Sequence, residues 1–312
     1  MKRILYVALA ALCCIACGST AENKAGKEEA PERIGWNGPE LHGNVGKVIT
    51  TEYELESKFG EEVTGEIQGR YTYTFNKYGN VLERTSYYSD GELSMKIKYT
   101  YDSDGNLENQ SQYDSDGKIE SKEVYKCNSD GKPIEIKEYD ANGDLLSSEQ
   151  YTYDTHGNKI RYEKKYENIG DIRVMQYFYD ENGNNIETIT YENSELYNKI
   201  KLIYDTNNNL IEAKQYYPDT DKEYNVKYLY DKNGNNIEIK AYNPDGELSD
   251  RQINIYDKNG NRVEFSYYDE KGELWRKFKC SYDKKGNVTE VRRYSGTLET
   301  PVKLTTYEIE YR

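Results

Sequence analysis

The chain has 312 residues and carries 56 acidic against 42 basic side chains, a net charge of -14. That excludes nucleic acid as a default partner, because affinity there comes from neutralising phosphates. A mean hydropathy of -1.03 would point to disorder, but 34 tyrosines and a strict internal repeat oppose it, and 2 histidines and 5 cysteines leave little material for metal or thiol chemistry.

The N-terminus reads as an address. Lys2 and Arg3 form a positive start, and Ile4 to Ile15 form an apolar run too short to span a bilayer as a mature helix. The run ends Cys14-Ile15-Ala16-Cys17-Gly18-Ser19, which resembles a bacterial lipoprotein signal. The resemblance implies cleavage after residue 16 and a lipid on Cys17. It departs from the pattern at Cys14, where leucine is usual. An ordinary signal peptide is the alternative, and it leaves the small residue before a cysteine unexplained. No second long apolar run follows, so lipid would be the only anchor.

Residues 17–43 have no hydrophobic period and read as a tether of roughly 25–30 Å root-mean-square span. Trp36 near its end is expected to pack on the first strands. The region from residue 44 to residue 312 is one repeat domain.

Nine pairs recur there: Phe75-Asn76, Tyr101-Asp102, Cys127-Asn128, Tyr153-Asp154, Tyr179-Asp180, Tyr204-Asp205, Tyr230-Asp231, Tyr256-Asp257 and Tyr282-Asp283. Each step is 26 residues except one of 25. Three residues after each Asp or Asn stands a glycine, replaced once by Asn208. Asn is the other residue that tolerates a left-handed backbone, so the position needs positive φ and the motif is a turn. A weaker copy lies midway, as in Tyr113-Asp114 with Gly117 and Tyr242-Asn243 with Gly246. The true unit is therefore about 13 residues, one strand and one Tyr-Asp-x-x-Gly turn. Segments between turns are rich in Tyr, Ile, Thr and Val and suit strands.

These turns resemble the YD-repeat, or RHS-repeat, family of secreted and surface proteins, over Gly46 to Arg312. The resemblance implies a β-meander and a surface role. Large members coil the meander into a shell, some around a toxin. No long non-repeat region follows the last unit here, so no toxin is expected.

The predicted fold is all-β: a long antiparallel meander of about 20 strands in a 26-residue, two-strand repeat. Open twisted sheets rarely exceed about ten strands without curling. At about 20–25° per strand, twenty strands rotate by roughly 400–500°. A strongly twisted or coiled single sheet is expected, with closure left open. The faces are not separable by period alone. Counting by two, Tyr99 and Tyr101 share a face with Glu187-type and Tyr191-type positions, while Ile186, Ile237 and Val263 fall opposite, beside lysines. Either both faces are half-buried or a bulge reunites Ile with Tyr.

Glu recurs at Glu83, Glu135, Glu187, Glu212, Glu238, Glu264 and Glu290. Catalysis needs one unusual environment rather than a row of equal ones. A cross-strand ladder with lysines such as Lys137 and Lys240 is expected, worth about a few tenths of a kcal/mol per pair. Asp102-Ser103-Asp104-Gly105 resembles a calcium loop but lacks the closing bidentate Glu, so a turn is the better reading. The tyrosine rows Tyr151, Tyr153, Tyr177, Tyr179, Tyr228 and Tyr230, with Trp275, are candidate ligand-binding residues, weighed against a core role. Three successive midway turns are irregular. They should share a rim carrying Glu167, Asp171, Glu192, Glu195, Asp219 and Asp221, fit for a cation or a basic partner. Cys127 and Cys280 are expected as single thiols in aromatic slots. No zinc, Ser-His-Asp or Cys-His spacing is present, and no cofactor or enzymatic role is expected.

The expectation is a binding or scaffold module, exported and lipid-anchored at the outer membrane or surface of a Gram-negative-like bacterium. Its partners would be the membrane, through lipid, and a glycan or protein.

Overall fold

A computed structural model describes residues 33–58, 61–296 and 300–312. The signal segment, Cys17 and the tether up to residue 32 lie outside the described residues. Every element among the described residues is a strand. The first ten are β1 (Val45–Lys58), β2 (Glu61–Phe75), β3 (Val81–Tyr87), β4 (Leu93–Tyr101), β5 (Leu107–Tyr113), β6 (Ile119–Cys127), β7 (Pro133–Asp140), β8 (Leu145–Tyr153), β9 (Lys159–Tyr166) and β10 (Ile172–Tyr179). The second ten are β11 (Asn185–Glu192), β12 (Glu195–Tyr204), β13 (Leu210–Tyr217), β14 (Lys222–Tyr230), β15 (Asn236–Tyr242), β16 (Leu248–Tyr256), β17 (Arg262–Tyr268), β18 (Leu274–Tyr282), β19 (Val288–Ser295) and β20 (Lys303–Tyr311).

Each strand pairs antiparallel with the next, and β20 returns to pair with β1, from Val45↔Tyr311 to Glu54↔Lys303. The meander is thus a single coiled sheet, as expected, and the closure left open above is made: the sheet is a barrel. The accumulated twist brings the last edge to the first, and pairing them removes both exposed edges. With strands about 4.8 Å apart and tilted by about 40°, a circular barrel of this size has a backbone radius of about 20 Å.

The main series of Tyr-Asp turns, from Asn76 to Asp283, follows the even-numbered strands and lies on one rim, and midway copies such as Tyr113-Asp114 lie on the other. In the turn after β4, the Asp102 N–H donates to the Asn106 carbonyl (3.0 Å) and the Gly105 N–H to the Asp102 carbonyl (3.2 Å). The Asp102 carboxylate accepts the N–H groups of Asp104 and Asn106 and the side-chain amide of Asn106, each at 2.9 Å. Gly105 has φ of +89°, and Asn208 fills the equivalent position at +62°. The loop spans five residues, and Tyr101 stands opposite Leu107.

A bulge then follows in the next strand. Thr100 pairs with Asn109, which leaves Glu108 extra. The same step occurs at Ile186, Ile211, Ile237 and Val263. It flips the alternation by one residue and settles the faces. Tyr177 pairs with Thr188, and Tyr228 with Ile239, on the concave side. Glu187 pairs with Phe178 and Lys201 on the outside, contrary to the counting by two. The bulge does not bring Ile186 or Ile211 to the tyrosine face, since both remain exposed. Tyr228 is 6% exposed and its neighbour Leu229 52%.

The outer face carries the glutamate ladder. Glu83, Glu135, Glu212, Glu238, Glu264 and Glu290 each have a Lys or Arg partner. Lys137 and Lys240 pair along their own strands, with Glu135 at 3.3 Å and Glu238 at 2.9 Å, while Arg251 reaches Glu238 across strands at 2.5 Å. Directly opposite the outer glutamates in register stand exposed apolar side chains that include Phe178, Ile203, Leu229 and Ile255.

Residues 33–43, read above as the end of a tether, are docked on the Tyr-Asp rim. Arg33 is 7% exposed. It donates to the carbonyls of Gly79 (3.3 Å), Leu41 (3.3 Å) and Gly43 (2.8 Å). The Val81 N–H donates to the Ile34 carbonyl at 2.9 Å. Trp36 packs edge-on against Tyr73 (4.8 Å) and Phe75 (5.8 Å), as expected from sequence. Leu41, Val45, Val48, Phe75, Val81, Ile97 and Tyr99 form one of two buried clusters.

The Asp-capped turns generate a pH dependence. Hydrogen bonds hold these carboxyls below the usual range. The side-chain amides of Asn106 and Asn235 contribute most at Asp102 and Asp231, and the N–H groups of Asp144 and Asn158 at Asp140 and Asp154. A depressed folded-state pKa gives stability that is present above the unfolded value of about 3.9 and is lost as pH falls through the folded value. The thermal midpoint should drop between about pH 4 and pH 2. Asp154→Asn with Asp231→Asn should flatten that drop, because Asn128 already caps its own turn through its amide oxygen, at 3.0 and 2.9 Å. An unchanged acid slope in the double variant would refute the assignment.

Candidate functional site

The tyrosine that opens each turn ties the rim together. Its ring lies on the concave face, and its hydroxyl donates to the carbonyl of the first residue of the preceding strand. Tyr153 reaches Pro133 (2.8 Å), Tyr179 reaches Lys159 (2.8 Å) and Tyr230 reaches Leu210 (2.9 Å). Tyr101, Tyr204, Tyr256 and Tyr282 do the same with Val81, Asn185, Asn236 and Arg262. Three of the candidate binding residues, Tyr153, Tyr179 and Tyr230, are therefore rim staples. Cys127 occupies one such slot, its thiol 3.9 Å from the Leu107 carbonyl. Cys280 stands two residues before Tyr282, in the inner row, and both cysteines are free thiols. Burial pushes both thiols up.

Two residues before the staple runs that inner row, which holds Tyr151, Tyr177 and Tyr228. The structure does not gather all three. Tyr228 packs with Leu202, Val226 and Ala241 in the second apolar cluster. Tyr151 and Tyr177 share a neighbourhood with Tyr162. The Tyr151 and Tyr162 rings are 5.3 Å apart. The Lys159 ammonium lies 5.8, 6.0 and 4.9 Å from the Tyr151, Tyr162 and Tyr177 rings. Burial lowers the Lys159 pKa, opposed by Glu149, and pushes Tyr177 up to about 12.

Beside this group, β6 to β9 enclose a cavity of about 160 Å³ lined by Glu123, Tyr125, Glu138, Ser147, Glu149 and Lys164. Glu123 stands opposite Glu138 in register. Each carboxylate has a partner: the Tyr125 hydroxyl on Glu123, the Ser147 hydroxyl on Glu138 at 2.9 Å, and the Tyr151 hydroxyl and Lys164 ammonium on Glu149. Burial pushes the Tyr125 and Tyr151 hydroxyls up, and their hydrogen bonds to Glu123 and Glu149 add to it.

A second cleft, of about 210 Å³, forms where the docked segment crosses the inner wall. Its walls include Trp36, Tyr71, Tyr73, Tyr307, Glu52 and Arg84. Sequence reading missed it. Tyr71, Tyr73 and Tyr307 belong to strands that converge only when the barrel closes, and Trp36 arrives from the segment read as tether. Gly38 lets the segment turn over the indole, since a Cβ there would sit 2.2 Å from the Trp36 ring.

The irregular turns do lie on consecutive hairpins of the other rim. Their acids are partly engaged. Lys165 pairs with Glu167 at 2.7 Å and Arg173 with Glu192 at 2.5 Å. The Asn193 amide donates to Asp171 at 2.9 Å and the Tyr216 hydroxyl to Asp221 at 3.0 Å. Asn193 and Ser194, at φ of 50° and 70°, make a two-residue hairpin turn between Glu192 and Glu195. Glu195 and Asp219 are exposed. Among the described residues no group of three His, Cys, Asp or Glu is placed to hold a metal ion. Trp275, on β18, lies 5.5 Å from the Tyr267 ring, with the Arg276 guanidinium 4.7 Å over its own ring. His156 is exposed in a turn, and the His42 N–H donates to Asn287 at 2.6 Å.

No protein-family model matches the chain, and no curated protein matches it. Among solved structures it is similar to a TcdB2-TccC3-Cdc42 complex, at 15% identity over 80% of this chain, with a TM-score of 0.30. The match spans only 19% of that larger chain. A porin-like protein from Bacteroides uniformis is similar at 12% identity, over 85% of this chain and 98% of that one, with a TM-score of 0.38. A putative outer membrane lipoprotein-sorting protein domain from Vibrio parahaemolyticus is similar at 10% identity, over 85% and 83%, with a TM-score of 0.20. These scores are low, and the architecture stands on the chain's own strand pairing.

The staple assignment sets an expectation for single hydroxyls. Tyr179→Phe removes one donor from a half-buried carbonyl and should cost about 1 kcal/mol in urea unfolding. Tyr78→Phe, on a ring that is 66% exposed in its turn, should cost nothing measurable. Equal effects at the two sites would contradict the staple.

Proposed function

We propose that this chain is a lipid-anchored, non-enzymatic envelope protein of the YD-repeat kind that binds a carbohydrate inside its barrel. One observation carries the reading. Closure turns a row of tyrosines inward among short polar side chains, including Thr188, Thr190, Gln215, Gln252 and Asn254. Tyrosine faces stack on the apolar faces of sugar rings, while amides and hydroxyls meet the sugar hydroxyls. Around Tyr228 aliphatic side chains fill the wall as in a protein core, whereas around Tyr177, Thr188 and Thr190 take those places. The outer face, with its Glu–Lys ladder, offers no comparable surface.

Binding is favoured over catalysis because the carboxylates of the first cavity are each held by a hydroxyl or ammonium group, and the outer glutamates repeat without distinction. The anchor rests on Lys2, Arg3, the apolar run and Cys17. It would place the barrel at the outer membrane or cell surface.

A glycan array with the full chain in detergent tests the ligand class. Selective signals that Tyr177→Ala weakens at least tenfold would support binding in the barrel, and Trp275→Ala tests the β18 side of the wall. A blank array would remove carbohydrate from the account and turn the search to a basic protein at the Glu195 and Asp219 rim. Release of a cleaved product that Glu138→Gln abolishes would replace binding by hydrolysis. For the anchor, labelled fatty acid should enter the wild-type chain and not Cys17→Ser, and label retained by the variant would defeat the assignment.

A further inference from the structure

The cleft beside Trp36 combines features found together nowhere else among the described residues. Three tyrosines and the Trp36 indole line one sugar-sized space. The Arg84 guanidinium lies over two of them, 5.5 Å from the Tyr71 ring and 5.7 Å from the Tyr73 ring. Stacking holds the plane of the fork and leaves its edge to hydrogen-bond. Arg84 Nε is buried and has no hydrogen-bond partner. A buried donor left unsatisfied costs more than most made hydrogen bonds return, so its retention needs an explanation. Across strands Arg84 faces Tyr73 and Ile97, which offer no carboxylate. The nearest acid on the cleft wall is Glu52, which pairs in register with Thr305 and Gly69.

We infer that this cleft receives a sugar unit bearing a carboxylate, its acid group on the Arg84 edge and its ring on the aromatic walls. Guanidinium and carboxylate match two hydrogen bonds to two oxygens, which a neutral hydroxyl cannot reproduce. Glu52 and Thr50 are on hand for the ring hydroxyls. The docked segment completes the site: without Trp36 and Gly38 the cleft is an open stretch of wall. The inference rests on the carbohydrate-binding reading above and narrows it to one place and one charge.

The test is calorimetric titration of the full chain in detergent with cellobiouronic acid and with cellobiose, which differ at one carboxylate. The acid should bind at least tenfold more tightly, and added salt should narrow the ratio. Arg84→Gln should bring the ratio near one, and Arg84→Lys should keep part of it, because charge remains and the fork is lost. Glu52→Gln should tighten the acid about threefold by removing a neighbouring negative charge, a change that leaves the stacked arginine in place. Melting curves for each variant separate lost binding from lost fold. Equal binding of acid and neutral sugar, both weakened by Trp36→Ala, would overturn the carboxylate while leaving carbohydrate binding intact. A preference for the acid that survives both Arg84 variants would overturn the site. If neither disaccharide binds, the inference fails, and the array decides whether the broader reading fails with it.

Discussion

Every strand in a sheet needs two neighbours, and a meander supplies them to all but its first and last members. Here the last strand pairs with the first over Val45 to Glu54. The remaining architecture follows from that one seam. It fixes a concave face and brings Tyr307 of β20 beside Thr50 and Tyr71 of the first hairpin. It also replaces the large apolar core that a chain of this composition cannot supply. Stability is spread instead over ladder hydrogen bonds, capped turns and tyrosine staples repeated around the ring, with two compact apolar clusters among the described residues.

The turn chemistry was legible in the sequence to the residue. Asn208 in a glycine column announced positive φ, and its φ of +62° agrees. Strand number and the pairing of Trp36 with the first strands were also legible, as was the placing of three irregular turns on one rim. Face assignment was not. The extra residue after each turn has no composition of its own, being Glu108 in one unit and Ile186 in another. Counting by two therefore put Glu187 beside the tyrosines. Closure was not legible either, because total twist limits a ribbon's shape without saying that its ends meet.

The candidate site divides along the same line. Tyr151 and Tyr177 were singled out because they repeat, and both stand in the inner row near Lys159. The cleft residues Trp36, Tyr71, Arg84 and Tyr307 were missed because the site exists only where the repeat is interrupted by the docked segment. A periodic sequence advertises its scaffold. Its cleft beside Trp36 forms where the period is broken, and several tyrosines that looked like a binding row spend their hydroxyls on the rim.

The clasp of Arg33 has a mechanical side. The segment from Arg33 to Asn44 is held at both ends: by Arg33 on the Gly79 carbonyl and Ile34 on the Val81 N–H, and by His42 on Asn287, a fully buried residue of the β18–β19 turn. Tension arriving from the N-terminal side meets that clasp before it reaches β1. The load then divides between the β2–β3 turn and the β18–β19 turn, on either side of the closing seam. A pull that would otherwise peel β1 from β20 one hydrogen bond at a time is thus shared across both flanks of the joint. The closing seam is paired along most of β1, and the chain adds its fastening there.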